Sequence, residues 1–315
     1  MDVRLFQNCV QDKHFGLVQK GFEPLDFRHN PHPELREFQI FEALYRDGVY
    51  KSADVLGAVS TRFQGKSLLD GKQVADWITS SPGYDVYVVN PYPQFAYTHK
   101  NLWQFSENTR DPKFTEKSQA VLNAAGLDYD LSSVGHHHTD ILSCCSYWFG
   151  TPRFWERYME EMILPVLRLS AQDLGVELHD FLYKNQEYYG VAAKGCGSLP
   201  FLLERSVSIY LQKQQDIRAL FYPSPRERVY ECCLFPFERD LVATFGDRVD
   251  YWHSNNIEND ETEDYFRFSS KMCGSGWRLY FKFHPMNFEH KDQRLSMPWA
   301  HESNNDHENL NRDAP

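Results

Sequence analysis

The chain has 315 residues and a formal net charge of −11, and 42% of its residues are hydrophobic and 15% aromatic. The acidic balance argues against a nucleic-acid partner, whose phosphates need a basic face, and against a polybasic membrane anchor. No run approaches the ~20 apolar residues of a membrane span, and the start lacks the basic-then-apolar layout of a secretory signal.

The first elements alternate between strand and helix signals. Residues 3–10 form a strand candidate and FEPLDF a second, which leads into the turn-rich HNPHP. Leu35, Phe38, Phe41 and Tyr45 recur at helical spacing and predict an amphipathic helix ending near Asp47-Gly48. VLGAVS reads as a buried strand. Asp70 and Gln73 form a capping box opening a helix whose apolar side carries Val74, Trp77 and Ile78, and DVYVVN is the next strand. This order predicts an α/β protein with a doubly wound sheet, whose ligands bind beyond the carboxyl ends of the strands. Gln11, residues 26–30, residues 60–66 and residues 90–92 fall at that cleft.

Further on, a small helix is expected over 116–126, a polar loop at His136 to His138, and a strand at LSCCSYWFG. Thr151-Pro152 opens a long helix that Pro165 should kink or end. Another helix spans about 201–213. Tyr265 to Phe268 and Trp277 to Phe283 alternate around a Gly/Ser turn and predict a β-hairpin. The last fifteen residues are expected to be disordered. Seven cysteines, without a CxxC, fit buried reduced thiols better than disulfides or a cysteine zinc site, and the chain reads as cytoplasmic.

Taken in order, LDFRHNPHPELREF, VLGAVSTRFQGKS, PGYDVYVVNPYP, ILSCCSYWFGTPRFWERYM and LPFLLERSVSIYL resemble bacterial glycosyltransferase-like proteins of polysaccharide synthesis. Among these are relatives of the capsular proteins with an HYRRYF-type signature, and the resemblance covers residues 3 to 212. It implies a GT-A-like mixed sheet flanked by helices over 1–222, an appendage with the hairpin over 223–300, and a tail over 301–315. The implied partners are a nucleotide-sugar donor, UDP-linked by preference, and a glycan acceptor in surface polysaccharide assembly.

Sugar transfer needs positive charge for the leaving diphosphate, a base for the acceptor hydroxyl if configuration inverts, and a shaped sugar site. The metal-binding DxD of GT-A enzymes is missing here. Asp85 opens its strand, at the wrong end, and Asn90 stands where the strand finishes. The literal DxD, Asp128 and Asp130, follows a helix and reads better as a solvated turn. Arg62 and Lys66 are then either a metal-free diphosphate clamp or two surface charges. A divalent metal, manganese or magnesium, is the cofactor for which the chemistry leaves room.

Glu204 matches the family's ERL-type segment and is the candidate base, with an ion pair to Arg205 as the alternative. Asn101, Trp103, Gln104 and Glu107 resemble the family's NVWEQGE, so Trp103, Gln104 and Glu107, with Asn90, are candidates for the sugar. A core tryptophan is the equal reading of Trp103. Gln11, Asp26 and Arg28 are candidates for the nucleotide, whereas Arg36 and Glu37 fall within the helix and pair with each other or the nearby loop. His136 and His138 would face the same way in an extended stretch, as polar loop residues or metal ligands. Two other readings stand beside the transferase: a non-catalytic sugar- or nucleotide-binding relative, and a metal-dependent hydrolase using the histidines.

Overall fold

The computed structural model describes residues 1–188 and 191–283. Its centre is a six-stranded mixed sheet of β1 (Val3–Cys9), β2 (Glu23–Asp26), β3 (Val55–Val59), β4 (Val86–Val88), β5 (Trp148–Gly150) and β8 (Ala219–Phe221), in the order β2-β1-β3-β5-β4-β8. β2, β1 and β3 run parallel, as do β4 and β8, while β5 is antiparallel to both its neighbours. A separate antiparallel pair joins β6 (Gln186–Tyr188) to β7 (Val191–Cys196).

Strand side chains alternate between faces, so β1, β3, β4 and β5 each feed two cores. Phe6, Leu56, Val86, Val88 and Trp148 enter one with the helices Glu37–Arg46 and Leu199–Lys213. Leu5, Val55, Val59, Tyr87 and Phe149 enter the other with Phe63–Ser67 and Gly71–Ser80. Both halves of the Asp70–Gln73 capping box are made. A glycine at 57 is required where β3 meets β5, because a Cβ there would lie 2.4 Å from the Phe149 ring and 2.6 Å from the Trp148 carbonyl oxygen. All seven cysteines are free and buried.

Three expectations change. LSCCSYWFG contributes only Trp148–Gly150 to the sheet, since Cys145 turns the chain with φ of 67°. Pro165 does not end its helix. Pro152–Tyr158 widens into a π-turn over Met159–Ile163 and continues as Leu164–Leu167. A π-turn relaxes the i→i−4 ladder at which an interior proline would clash.

The expected hairpin is instead the helix Asp260–Phe283. Thr262, Phe266, Ser269, Ser270, Cys273 and Trp277 are buried at three- and four-residue spacing, the signature of a helix face. The glycines that suggested a turn give close packing: a Cβ on Gly276 would come within 2.7 Å of the Phe235 ring. With Pro236–Ser254, this helix encloses a small core of Tyr97, Val249, Trp252 and Phe266. The tail over 301–315 lies outside the described residues.

Candidate active site

At the carboxyl ends of β1 and β3, where a parallel arrangement leaves backbone groups pointing outward, the structure opens a cavity of about 410 Å³. Asn8, Val10 and Gln11 line it from β1 and the loop after it, and Ala58, Val59, Ser60, Thr61 and Arg62 from β3 and the loop after it. Helix Phe63–Ser67 adds Lys66, and Arg36 and Glu37 come from the start of Glu37–Arg46. The far wall is Pro200, Phe201 and Glu204 from the first turns of Leu199–Lys213, with Cys145 and Tyr147 from the approach to β5.

Two glutamines hold the floor. Gln7, fully buried, donates from Nε2 to the Ser60 carbonyl at 3.3 Å and accepts from the Gln19 backbone N–H at 2.8 Å. Gln19 in turn donates to the Thr61 carbonyl at 3.2 Å. Residues 60 and 61 are thereby fixed to β1 and its following loop. Arg110 fastens the far wall, donating from Nη2 to the Cys196 carbonyl at 3.1 Å and lying 3.7 Å over the Phe201 ring.

Three lining residues other than glycine have left-handed backbones: Asn30 at φ 32°, Arg36 at 53° and Cys145 at 67°. Such conformations cost on the order of 1–3 kcal/mol each and persist where the surroundings over-determine them, frequently at functional sites. Asn8 Oδ1 and Ser146 Oγ are buried in the same wall without a hydrogen-bond partner among the described residues. A ligand in the cavity would satisfy such groups.

The lining mixes charges at close quarters. Lys66 Nζ donates to Cys145 Sγ at 3.4 Å and lies 5.8 Å from the centre of the Tyr147 ring. Burial opposes charge on Lys66, but attraction to Cys145 and then Tyr147 and Tyr92 prevails and holds its pKa well above the ordinary lysine value. A hydrogen bond from Cys144 pulls the Cys145 thiol down to about 6, against desolvation and with help from Lys66. Glu204 is pushed well above the ordinary carboxylate range by desolvation, then by Cys145 and Glu37, with Arg205 and Lys66 opposing. Tyr147, pushed up to about 12 mainly by burial, pairs with the Ser60 hydroxyl at 3.1 Å.

Arg205 is built into the core rather than the cavity. It is 2% exposed, donates to the carbonyls of Leu102 at 3.2 Å and Phe201 at 2.6 Å, and stands 3.7 Å from Glu204. The ion pair and a cavity-facing Glu204 therefore coexist.

Of the residues singled out in the sequence, Gln11, Arg62, Lys66 and Glu204 come together on this lining. Asp26 and Arg28 do not join them. They form a fork at 2.9 and 2.6 Å beside a separate shallow concavity with His29, and Arg28 also reaches Asp12 at 2.8 Å. Asn90 accepts from the Tyr92 backbone at 3.1 Å, inside the loop after β4. Trp103 is 2% exposed and packs in the core against Phe114. Gln104 accepts from the Lys100 N–H at 2.9 Å, and Glu107 shares its helix, Leu102–Thr109, away from the cavity. Arg36 and Glu37 also reach the lining: Glu37 opens its helix as its first residue, whereas Arg36 precedes the helix instead of lying within it.

Asp128 pairs with Lys213 at 3.0 Å, and Asp130 caps the Ser132 N–H at 3.0 Å, so the literal DxD is a pair of turn contacts. The histidines separate. His136 meets the Ala96 carbonyl at 2.7 Å, His137 turns to Gln212 at 3.2 Å, and His138 joins Asp140 and His253 in a group that can hold a metal ion. None of these residues lines the cavity.

The sequence reading passed over Cys145, Tyr147 and the Gln7–Gln19 brace. Gln19 carries no sequence signal, but two polar residues in succession, Gln7 and Asn8, on the buried half of a strand mark a place where polar partners are needed. Comparison with family models, curated proteins and solved structures finds no match. Fold and site together define an α/β protein with a mixed sheet and a charged, strained cavity at the carboxyl ends of two parallel strands.

Proposed function

We propose that the chain is a glycosyltransferase of the GT-A-like kind, taking a sugar from a nucleoside diphosphate donor, UDP-linked by preference, to a glycan acceptor in surface polysaccharide synthesis. One observation carries the reading: Arg62, Lys66 and Glu204, from opposite walls, face a single cavity at the carboxyl ends of β1 and β3. The resemblance of the five sequence segments to polysaccharide glycosyltransferases supports it, and the mixed α/β sheet is compatible with it.

In this reading the two cations stabilise negative charge as the sugar–phosphate bond breaks, an effect magnified in a water-poor cavity. For an inverting transfer, Glu204 takes the proton of the acceptor hydroxyl while its oxygen bonds to the anomeric carbon. The diphosphate leaves with the electron pair of the broken bond. A carboxylate with a raised pKa is a better base once ionised, and desolvation supplies that increase here. Among the described residues the lining has two carboxylates, Glu37 and Glu204, set on different helices. The cations, more than a metal held by acidic residues, are therefore assigned the diphosphate.

A panel of nucleoside diphosphates and their sugar conjugates tests the reading by calorimetry and melting temperature. Binding of a diphosphate, and release of nucleoside diphosphate from its sugar conjugate in the presence of glycan acceptors, is expected. No heat and no melting shift with any member would rule the reading out.

A further inference from the structure

A second chemically distinct group lies outside the cavity, where the loop carrying His138 and Asp140 meets the last turn of the Pro236–Ser254 helix. His138, Asp140 and His253 bring one ligand atom each to within 4.8 Å of one another. The rings of His138 and His253 stack at 4.4 Å and 12°. Each also faces a carboxylate from the other element: His138 Nε2 lies 3.0 Å from Asp250 Oδ1, and His253 Nε2 lies 3.3 Å from Asp140 Oδ2. Asp250 is additionally held by Arg226 Nη2 at 2.5 Å, which compensates its charge and fixes its position.

We propose that His138, Asp140 and His253 form a site for a divalent transition metal of the zinc class, clamping the end of the Pro236–Ser254 helix to the loop before β5. The donor set selects the metal. Two imidazole nitrogens and one carboxylate oxygen suit zinc and its neighbours, whereas magnesium and calcium prefer all-oxygen shells. Zinc bonds to nitrogen and carboxylate oxygen are about 2.0–2.2 Å long, which puts the ligand atoms roughly 3.5 Å apart. His253 Nε2 and Asp140 Oδ2 already stand at 3.3 Å, and the widest separation, up to 4.8 Å, closes by roughly 1 Å on binding. Asp140 can make that movement, because its side chain is 66% exposed and belongs to a loop, while His138, 11% exposed, serves as the fixed ligand. Asp250 or water completes the shell. Thr139 Oγ1, 3.2 Å from His138 Nδ1, is placed to orient that ring, as groups behind metal-bound histidines do.

The site contributes nothing to the cavity lining, so its role is to join elements. The loop at 136–140 runs past Ala96 and Tyr97, whose side chains share the small core of the C-terminal helices. A metal at its edge would bind the folded arrangement and not the unfolded chain, stabilising the C-terminal helices on the sheet domain.

The test uses the full chain, stripped with chelator and dialysed, then titrated with zinc chloride and separately with magnesium chloride. One zinc per chain at micromolar affinity or tighter is expected, with a melting temperature that rises with zinc and ignores magnesium. Cobalt in place of zinc should give the visible absorption of a four-coordinate ion. Asp140→Asn, at an exposed position that leaves folding intact, and His253→Gln should each weaken zinc binding tenfold or more. Absence of a zinc-dependent melting shift would overturn the proposal. So would zinc bound with unchanged affinity by both variants, which would place the metal on other histidines of the chain.

Discussion

Lys66 Nζ and Cys145 Sγ stand 3.4 Å apart, linking the helix after β3 to the turn that leads into β5. The contact places a thiol in the cavity wall in unusual surroundings: a hydrogen bond from Cys144 and the Lys66 charge bring it down to about 6, while Cys144 itself is pushed well up. Reactivity follows the thiolate. Iodoacetamide should therefore label Cys145 ahead of the other buried cysteines, with a rate that rises through about pH 6. Lys66→Ala should move that midpoint upward. The same depressed pKa makes a stability contribution that is complete above the ordinary thiol value of 9.0 and is lost as the pH falls through about 6. Peptide mapping of the label against pH checks both points, and labelling confined to alkaline pH would contradict them.

Glu204 shares that cavity, and burial keeps its proton on at pH values where an ordinary glutamate is ionised. If it is the base, transfer should climb with pH as Glu204 ionises, with an acidic limb displaced above the usual carboxylate range. Glu204→Gln should retain the fold, the packing of Arg205 and donor affinity, yet lower turnover by about 100-fold. A variant as active as the parent, or a pH profile with its acidic limb in the ordinary glutamate range, would remove Glu204 from the proposed mechanism.

The cations are tested by comparing ligands. Arg62→Ala and Lys66→Ala should weaken a nucleoside diphosphate far more than the free nucleoside, because only the former carries phosphates. Turnover should fall more than affinity for the intact donor, since the charge grows in the transition state. Calorimetry with the two ligands needs no known acceptor. Equal diphosphate affinity in the parent and both variants would place these side chains outside the phosphate site.

Much of the sheet and half of the cavity were legible because the signals are local. The buried run Val55–Val59, the Asp70–Gln73 box and the spacing of Phe38 and Phe41 each state their own secondary structure. Arg62 and Lys66 could be placed because they directly follow a strand, and position after a strand predicts the cleft. Glu204 was reached through a family resemblance, as nothing in its neighbours announces a cavity.

What escaped depends on contacts distant in sequence. Cys145 looks like a strand residue until its left-handed backbone is seen. The Asp260–Phe283 helix was misread because its aromatic pairs mimic alternation over a few residues, and its glycines resemble a turn. Their packing role needs Phe235, from another helix, to become visible. Trp103 illustrates the same limit: an aromatic ring suits a sugar or a core equally, and only its 2% exposure decides.

His99 makes a final prediction that is independent of function. It is fully buried among the rings of Phe95 and Phe105, at 5.2 and 5.1 Å, with Nδ1 2.9 Å from the Thr98 hydroxyl and no hydrogen-bond partner at Nε2 among the described residues. Burial lowers its pKa from 6.5 to about 3, so the folded chain holds it neutral. The unfolded chain, by contrast, binds the proton below pH 6.5. Stability is therefore full above that value and is lost as the pH falls toward the folded pKa, at about 1.4 kcal/mol per pH unit from this residue alone. His99→Phe keeps the ring and removes the titration, at the cost of one contact to Thr98. Urea unfolding of parent and variant at a series of pH values isolates His99 from the other histidines, because they are common to both. The parent should lose stability on acidification more steeply than the variant between pH 6 and 4, and parallel curves would show that His99 is protonated in the folded chain.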